Sequence, residues 1–198
     1  RFNLNNKNKY RKAMREKLSL GEELVILYIS NNFRLKGLLT LIKSLGELKK
    51  SGKDFKALII GRGNEAPYRK LAKKLGCLDN LIFLGHVGEI EKYYAASDLY
   101  VHPTFYDSCS LVTTESLASG LPVITTVFDG ASGIMEDGRD GFVMRDPKNY
   151  TALAEKISLF FNDEFRQKAS IAAREKAEKY PAEKNCDEII EIYKEVVA

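Results

Sequence analysis

Cysteine and histidine are scarce in this chain of 198 residues. The three cysteines, Cys77, Cys109 and Cys186, are far apart and form no CxxC pair, and the sequence has two histidines. An odd number of separated cysteines favours reduced thiols in a cytoplasmic compartment over a disulfide framework. Structural zinc sites need several closely spaced Cys or His ligands, so a protein-held metal is disfavoured.

Long apolar segments are also missing. The longest runs, such as ALII and LVIL, are far shorter than the roughly 20 residues that span a bilayer. The opening residues, RFNLNNKNKYRKAMREKL, are basic and polar, without the apolar core of a signal peptide. We therefore expect neither a membrane span nor a signal peptide in this sequence.

Several familiar motifs are absent as well. The sequence contains no GxSxG nucleophile elbow and no Walker-type GK[ST] loop. Aromatic residues do not interleave with a basic stripe, so nucleic-acid binding has no support. The net charge of +4 is compatible with an anionic ligand or with peripheral contact at a membrane surface.

Short apolar runs alternate with helical patterns along the chain, as in a parallel sheet wrapped by helices. The predicted strands are 23–30, 55–61, 80–85, 98–104 and 121–126, with a last short edge strand within 139–144. The predicted helices cover 8–20, 36–52, 66–76, 111–120 and, as a short helix, the segment EIEKYYAAS.

This order predicts an α/β fold, a Rossmann-like doubly wound parallel sheet of about six strands. From Lys148 onward the sequence is helical, and Pro181 favours a break. We expect one domain over 1–198 with a helical C-terminal tail over 148–198.

Ligands bind such sheets beyond the carboxyl ends of the strands. The first strand–helix junction there carries Arg34 and Lys36. A cation at a helix N-terminus opposes the helix macrodipole, so helix stability does not explain this pair. A bound anion would explain it, and solvated side chains in a lysine-rich protein are the alternative.

The next two junctions are rich in glycine. Gly61 and Gly63 follow a strand, but a third glycine is missing, which disfavours a nicotinamide cofactor. A tight turn or a close approach of the backbone to a ligand accounts for them. His86 lies between two glycines and is more often structural than catalytic, while the backbone of Val87 can serve a ligand as well as a side chain can.

The fourth junction precedes a helix that starts near Leu111. Ser108 and Ser110 are candidate N-caps, and the backbone amides over Cys109–Val112, that is Cys109, Ser110, Leu111 and Val112, form a candidate anion site. Glu115 lies one turn further along. Its carboxylate suits paired sugar hydroxyls, although a glutamate in a first turn also compensates the helix dipole.

Together these segments resemble the C-terminal, donor-binding half of the retaining GT-B glycosyltransferases of family 4. The likeness covers residues 23–180. Within this family, the sequence is most similar to bacterial cell-envelope enzymes such as the lipopolysaccharide-core sugar transferases. The matching segments are FRLKG, ALIIGRGNEAPYRKLAKKLG, NLIFLGHV, YYAASDLYVHPTFYD, SLVTTESLASGLPVITT and GIMEDGRDGFVMRDP.

The family's signature is a pair of acids with seven residues between them, which here reads Asp107 to Glu115. The resemblance implies that Glu115 binds the ribose of a nucleotide-sugar and that Asp107 lies beside the transferred hexose. The family usually has Glu followed by Gly-Phe-Gly at the first acid. This chain has the shorter Asp followed by Ser108, Cys109 and Ser110.

The resemblance also assigns the remaining site residues. Lys36 matches the lysine that holds the diphosphate, and Arg34 matches its arginine partner. Gly61 and Gly63 would line the donor cleft, and the backbone near Val87 would hold the base. Two preorganised cations stabilise the charge that grows on a departing diphosphate without a metal.

The implied reaction transfers a hexose from a nucleotide diphosphate sugar, such as a UDP-sugar, with retention and without a metal cofactor. Its acceptor, a glycan or lipid-linked glycan, would bind an N-terminal half that this chain does not contain, so this half alone would transfer little. The implied location is the cytoplasm or the inner face of the membrane.

Three other interpretations remain open from the sequence. A GT-B nucleotide-sugar epimerase or phosphorylase shares the fold. A non-catalytic nucleotide-sugar-binding module fits the shortened acid and the replaced glycines. A flavodoxin-like or receiver-like domain is weaker, because the first strand has no receiver-type acidic cluster.

Overall fold

Six strands form one parallel sheet in the computed structural model, which describes residues 1–197. The strands are β1 (Leu24–Ile29), β2 (Phe55–Ile60), β3 (Leu81–Gly85), β4 (Leu99–Val101), β5 (Val123–Thr126) and β6 (Gly141–Met144). Their spatial order is β3-β2-β1-β4-β5-β6. The predicted Rossmann-like sheet is confirmed, including β6 at its edge.

Over residues 1–197, four helices connect the first five strands, as the alternating pattern predicts, one helix precedes the first strand and three follow the last. They are α1 (Asn5–Lys17), α2 (Leu38–Lys50), α3 (Ala66–Lys74), α4 (Glu91–Ala96), α5 (Leu111–Ala118), α6 (Tyr150–Leu159), α7 (Asp163–Glu178) and α8 (Ala182–Val197). Two 3-10 turns occupy Leu78–Asn80 and Gly130–Ile134. The predicted tail extends to residue 198, which lies outside the described residues.

Several helix boundaries differ from the sequence prediction by one to three residues. The opening helix ends at Lys17 rather than at residue 20. The helix predicted for 36–52 begins only at Leu38, because Gly37 before it adopts a left-handed conformation with φ of 77°. Lys36 therefore lies in a turn ahead of α2 and not on the helix itself, which leaves its side chain free to point toward the sheet edge.

The sheet separates two apolar cores, and β1 contributes to both. Leu24, Ile26 and Tyr28 belong to one core, with α2 and α6. Val25 and Leu27 belong to the other, which α4, α5 and α7 help to close. Successive side chains of a strand point to opposite faces, so a strand covered on both faces must be apolar throughout, as the sequence of β1 is.

The strand order places a topological switch point at the centre of the sheet. From β1 the chain moves outward to β2 and β3 on one side, then returns to β4 on the other side of β1. The chain therefore passes from β1 to α2 on one face of the sheet and from β4 to α5 on the other. At the carboxyl ends of strands, such a switch point is where doubly wound sheets form a ligand-binding crevice. In residues 1–197 no helix has both the length and the hydropathy needed to cross a membrane.

Candidate functional site

Lys36 and Asp107 meet at the switch point, although 70 residues separate them in the sequence. Lys36 follows β1 and Asp107 follows β4, and Lys36 Nζ lies 2.7 Å from Asp107 Oδ2. The same ammonium group donates to the backbone oxygen of Tyr106 at 2.8 Å. Two of the predicted site residues therefore form one ion pair in the crevice.

Close backbone packing brings these two loops together. The amide of Phe105 donates to the carbonyl of Leu35 at 2.9 Å. A Cβ atom added to Gly37 would lie 2.0 Å from the backbone oxygen of Pro103. Only a glycine combines this contact with the positive φ at position 37, so the sequence fixes the approach of Lys36 to the loop after β4.

A buried histidine supports Asp107 from the other side. His102 follows β4 directly, and its Nε2 lies 3.2 Å from Asp107 Oδ2. The hydroxyl of Tyr100 lies 3.1 Å from its Nδ1. The hydrogen bond from His102, together with Lys36, lowers the pKa of Asp107 to about 2. The sequence interpretation missed His102, and its position at the carboxyl end of a strand was the feature that could have identified it.

Asp129 is a second residue near the site that the sequence interpretation missed. Its buried carboxylate accepts from the hydroxyls of Thr113 and Thr125 at 2.8 and 2.9 Å. It also accepts from the backbone amides of Ser110 and Ala131 at 3.2 and 3.0 Å. These four bonds offset the burial of the charge, and they fix the start of α5 against the end of β5.

The predicted anion site over Cys109–Val112 is only partly available. Ser110 is the N-cap of α5, as predicted, since its hydroxyl accepts from the amide of Thr113 at 3.2 Å. The amide of Ser110 itself is taken by Asp129, contrary to that prediction. Helix geometry leaves the amides of Leu111 and Val112 without an intrahelical acceptor. Cys109 is exposed beside them.

Glu115 lies in the second turn of α5, so compensation of the helix dipole by a first-turn acid does not explain it. Its carboxylate accepts from the hydroxyl of Tyr94 in α4 at 2.8 Å. Burial raises the pKa of Glu115, and Tyr94 opposes that rise. Burial and the neighbouring Glu115 raise the pKa of Tyr94. Glu115 is thus linked to α4 by a hydrogen bond, whereas Asp107 is linked to Lys36 by an ion pair.

Arg34 lies in the same turn as Lys36, and its side chain is exposed. Its positive charge acts on the hydroxyl of Tyr68 in α3, where it opposes the pKa rise that burial produces. The guanidinium group therefore lies within electrostatic range of Tyr68, while Lys36 pairs with Asp107. The two predicted diphosphate ligands share a turn, and Lys36 alone takes part in the ion pair with Asp107.

Gly61 and Gly63 lie where the exit of β2 crosses the exit of β1. A Cβ atom on Gly61 would lie 1.7 Å from the backbone oxygen of Ser30, and one on Gly63 would lie 2.7 Å from the ring of Phe33. Packing within the protein already requires both glycines. Val87, beyond the end of β3, is partly buried against the second core.

A metal site was not expected from the sequence. Among the side chains that the structure describes, which leave out those of residues 182–185, 187, 188, 197 and 198, no three of His, Cys, Asp or Glu lie together in an arrangement that could hold a metal ion.

The model of the family "Glycosyl transferases group 1" matches residues 10–180. Lipopolysaccharide glucosyltransferase WaaG of Escherichia coli K12 is 29% identical over 149 residues, which cover 74% of this chain and 40% of WaaG. The solved structure of WaaG, a glycosyltransferase involved in lipopolysaccharide biosynthesis, superimposes with a TM-score of 0.80 at 26% identity, over 85% of this chain and 46% of WaaG.

The fold is also that of HepE from Anabaena, with a TM-score of 0.79 and 23% identity over 90% of this chain and 50% of HepE. This chain spans about two fifths of the WaaG sequence that it matches. WaaG is a bacterial lipopolysaccharide glucosyltransferase, in agreement with the resemblance to cell-envelope enzymes that the sequence indicates. The family match covers most of the chain, and the chain belongs to the group 1 glycosyltransferases.

Proposed function

We propose that this chain is the donor-binding half of a retaining glycosyltransferase that takes a hexose from a nucleotide diphosphate sugar. One observation carries the proposal: the loops after β1 and β4 converge at the switch point, where Lys36 and Asp107 lie 2.7 Å apart. A cation for the diphosphate and an acid for the sugar are thereby adjacent, as the diphosphate and the sugar are in the donor.

The diphosphate would bind Lys36 and Arg34, with the open amides of Leu111 and Val112 as further donors. Both side chains belong to one turn, and the N-terminus of α5 adds the positive end of a helix dipole. Negative charge grows on the diphosphate as the glycosidic bond breaks, and fixed positive groups stabilise that charge. We propose that this arrangement works without a protein-held metal.

The nucleoside would extend from the diphosphate toward α4 and β3. Glu115 is half-buried and keeps its carboxylate in place through Tyr94, which suits a pair of ribose hydroxyls. The backbone at Val87 and the turn of Gly61 and Gly63 would line the remaining cleft. HepE, a protein of the same fold, has been solved with UDP and glucose and with UDP-glucose, so uridine nucleotides are the first probes to use.

The acceptor would be a glycan or lipid-linked glycan that binds to a second domain of a longer protein. WaaG has more than twice the matched length, which supports this division. We also propose that transfer needs that second domain, and that the enzyme works in the cytoplasm or at the inner face of the membrane. The unpaired thiols of Cys77, Cys109 and Cys186 support a reducing compartment.

Calorimetry with UDP, GDP, ADP and inorganic pyrophosphate tests the proposal. Lys36→Ala should weaken pyrophosphate and the preferred nucleotide alike, by about 1.5–3 kcal/mol for a lost charged hydrogen bond. Glu115→Ala should weaken the nucleotide and leave pyrophosphate unchanged. Lys12→Ala, which removes an exposed lysine of α1, is the matched control. Absence of binding to every diphosphate would contradict the proposal.

A further inference from the structure

The carboxylate of Asp107 uses one oxygen within the protein and leaves the other open. Its Oδ2 forms the ion pair with Lys36 Nζ at 2.7 Å and the hydrogen bond with His102 Nε2 at 3.2 Å. In the part of the chain that the structure describes, no hydrogen bond reaches Oδ1. The side chain is 18% exposed, so Oδ1 can meet a ligand in the crevice.

Lys36 and His102, which both hold Oδ2, differ in their access to a ligand. Lys36 is 19% exposed at the crevice and is the proposed ligand of the diphosphate. His102 is only 2% exposed and cannot reach a ligand in solution. When a diphosphate draws the ammonium group of Lys36 toward itself, the imidazole remains as the fixed support of Asp107.

His102 is itself held through its ring and through its backbone. The ring of Tyr100 stacks on it at a centroid distance of 5.7 Å and an interplanar angle of 19°. The amide of His102 donates to Ile124 at 2.7 Å, and its carbonyl accepts from the hydroxyl of Thr125 at 3.1 Å. The backbone of His102 is therefore fixed against β5, and its ring cannot turn away from Asp107 without losing the contacts to Tyr100.

The protonation pattern follows from the partners. An ionised Asp107 only accepts hydrogen bonds, so Nε2 of His102 carries the proton that points to it. Burial raises the pKa of Tyr100, whose hydroxyl keeps its proton and donates to Nδ1. The chain of donors thus runs from Tyr100 through His102 to Asp107, and it selects one tautomer of the imidazole.

We propose that His102 is a positioning residue that aims Asp107 Oδ1 at the sugar of the bound donor, an inference that rests on the proposed function. An aspartate reaches less far than a glutamate, so its contact with the sugar depends more strongly on how the carboxylate is oriented. His102 sets that orientation from the side away from the crevice. Loss of the support would release the carboxylate toward Lys36 and weaken the contact with the hexose. The nucleoside diphosphate, which His102 does not approach, would bind as before.

The test compares UDP with UDP-hexoses on this chain by calorimetry. The probes are UDP and whichever of UDP-glucose, UDP-galactose and UDP-N-acetylglucosamine binds most tightly. His102→Ala should keep the affinity for UDP within about twofold and weaken the UDP-hexose by about tenfold, the effect of one hydrogen bond to a charged group. His102→Gln places an amide N–H near the position of Nε2 and should restore most of the loss.

The pH dependence provides a second readout. The titratable groups that face Asp107 are His102 from β4 and Lys36 from the turn before α2, and Asp129 lies across the backbone bridge between residues 107 and 129. Without the hydrogen bond from His102, the pKa of Asp107 rises. Binding of the UDP-hexose by His102→Ala should then fail at a higher pH on the acid side than in the wild type, and His102→Gln should behave like the wild type.

Asn80→Ala is the matched control, because it removes a buried hydrogen bond to Phe55 beside the opposite end of the sheet. It should lower stability without changing the ratio of the two affinities. If His102→Ala does not fold, Tyr100→Phe decides, since it removes the hydroxyl that directs the imidazole. A selective loss of UDP-hexose affinity in Tyr100→Phe supports the inference, and an unchanged ratio overturns it.

The remaining outcomes separate the two proposals. Equal weakening of UDP and UDP-hexose by His102→Ala, or no change in either, overturns the positioning role and leaves the proposed function standing. A wild-type chain that binds neither UDP nor any of the UDP-hexoses contradicts the proposed function, and the role of His102 falls with it.

Discussion

Lys36 and Asp107 neutralise each other across the crevice between β1 and β4, with Nζ and Oδ2 2.7 Å apart. A diphosphate that binds Lys36 must therefore compete with Asp107 for the same ammonium group. Partly exposed ion pairs contribute about 0.2–1 kcal/mol, so this competition should be measurable but modest.

Asp107→Asn should bind inorganic pyrophosphate about twofold to fivefold more tightly than the wild type, because it removes the competing charge. Calorimetry at low ionic strength measures the change, and the gain should shrink as salt is added. Asp79→Asn, at an exposed aspartate in the 3-10 turn before β3, is the control. Weaker binding of pyrophosphate by Asp107→Asn would mean that Asp107 orients Lys36 rather than competing for it.

The same pair predicts how stability depends on pH. His102 and Lys36 lower the pKa of Asp107 from its ordinary value of 3.8 to about 2. A depressed native pKa stabilises the fold above the unfolded value, and this stabilisation disappears as the pH falls from about 4 to about 2. The wild type should thus exceed Asp107→Asn in unfolding free energy near neutral pH, by roughly 1 kcal/mol after solvent screening.

Urea denaturation between pH 2 and pH 7 measures the difference in unfolding free energy between the wild type and Asp107→Asn. The two curves should converge on the acid side of the window and stay parallel above pH 5. A difference that persists unchanged at pH 2 would show that Asn disturbs the loop sterically and that the charge is not the cause.

The sequence was sufficient to predict the sheet and the edge at which Lys36 and Asp107 meet. Continuous apolar strands with helices between them leave few topologies, and the carboxyl ends of the strands then locate Lys36 and Asp107. His102 and Asp129 were missed for a physical reason. Each is buried and gains its role from partners on other elements, so the local pattern around it is that of an ordinary strand end or turn.

Tyr94 was missed on the same grounds, and it allows a test at Glu115. Burial raises the pKa of Glu115, and the hydrogen bond from Tyr94 limits the rise. Ribose hydroxyls donate to an ionised carboxylate, so UDP affinity should be lost as the pH falls through the raised pKa of Glu115. Tyr94→Phe should move that loss to higher pH and weaken UDP by about threefold to tenfold at neutral pH.

Pyrophosphate separates this effect from a general disturbance, because it has no ribose and its affinity should not change in Tyr94→Phe. Tyr93→Phe, at the neighbouring tyrosine of α4, is the matched control and should behave like the wild type. Equal losses of UDP and pyrophosphate in Tyr94→Phe would place Tyr94 in the packing of α4 and give it no separate role at Glu115.

Gly37 and Gly52 provide a matched pair for the geometry of the crevice. Their φ values are 77° and 69°, so alanine strains the backbone at both positions, by roughly 1 kcal/mol. A Cβ at Gly52 meets nothing within 4 Å, whereas one at Gly37 lies 2.0 Å from the backbone oxygen of Pro103. Gly37→Ala should therefore destabilise the fold by at least about 2 kcal/mol more than Gly52→Ala in urea denaturation.

The two variants should also differ in binding. The clash at position 37 can be relieved only if the turn that carries Lys36 moves away from the loop that leads to Asp107. Gly37→Ala should then lose pyrophosphate affinity, while Gly52→Ala, at the far end of α2, retains it. Wild-type pyrophosphate affinity in a folded Gly37→Ala variant would show that binding does not depend on the approach of these two loops. That result would contradict the assignment of the diphosphate site to the crevice.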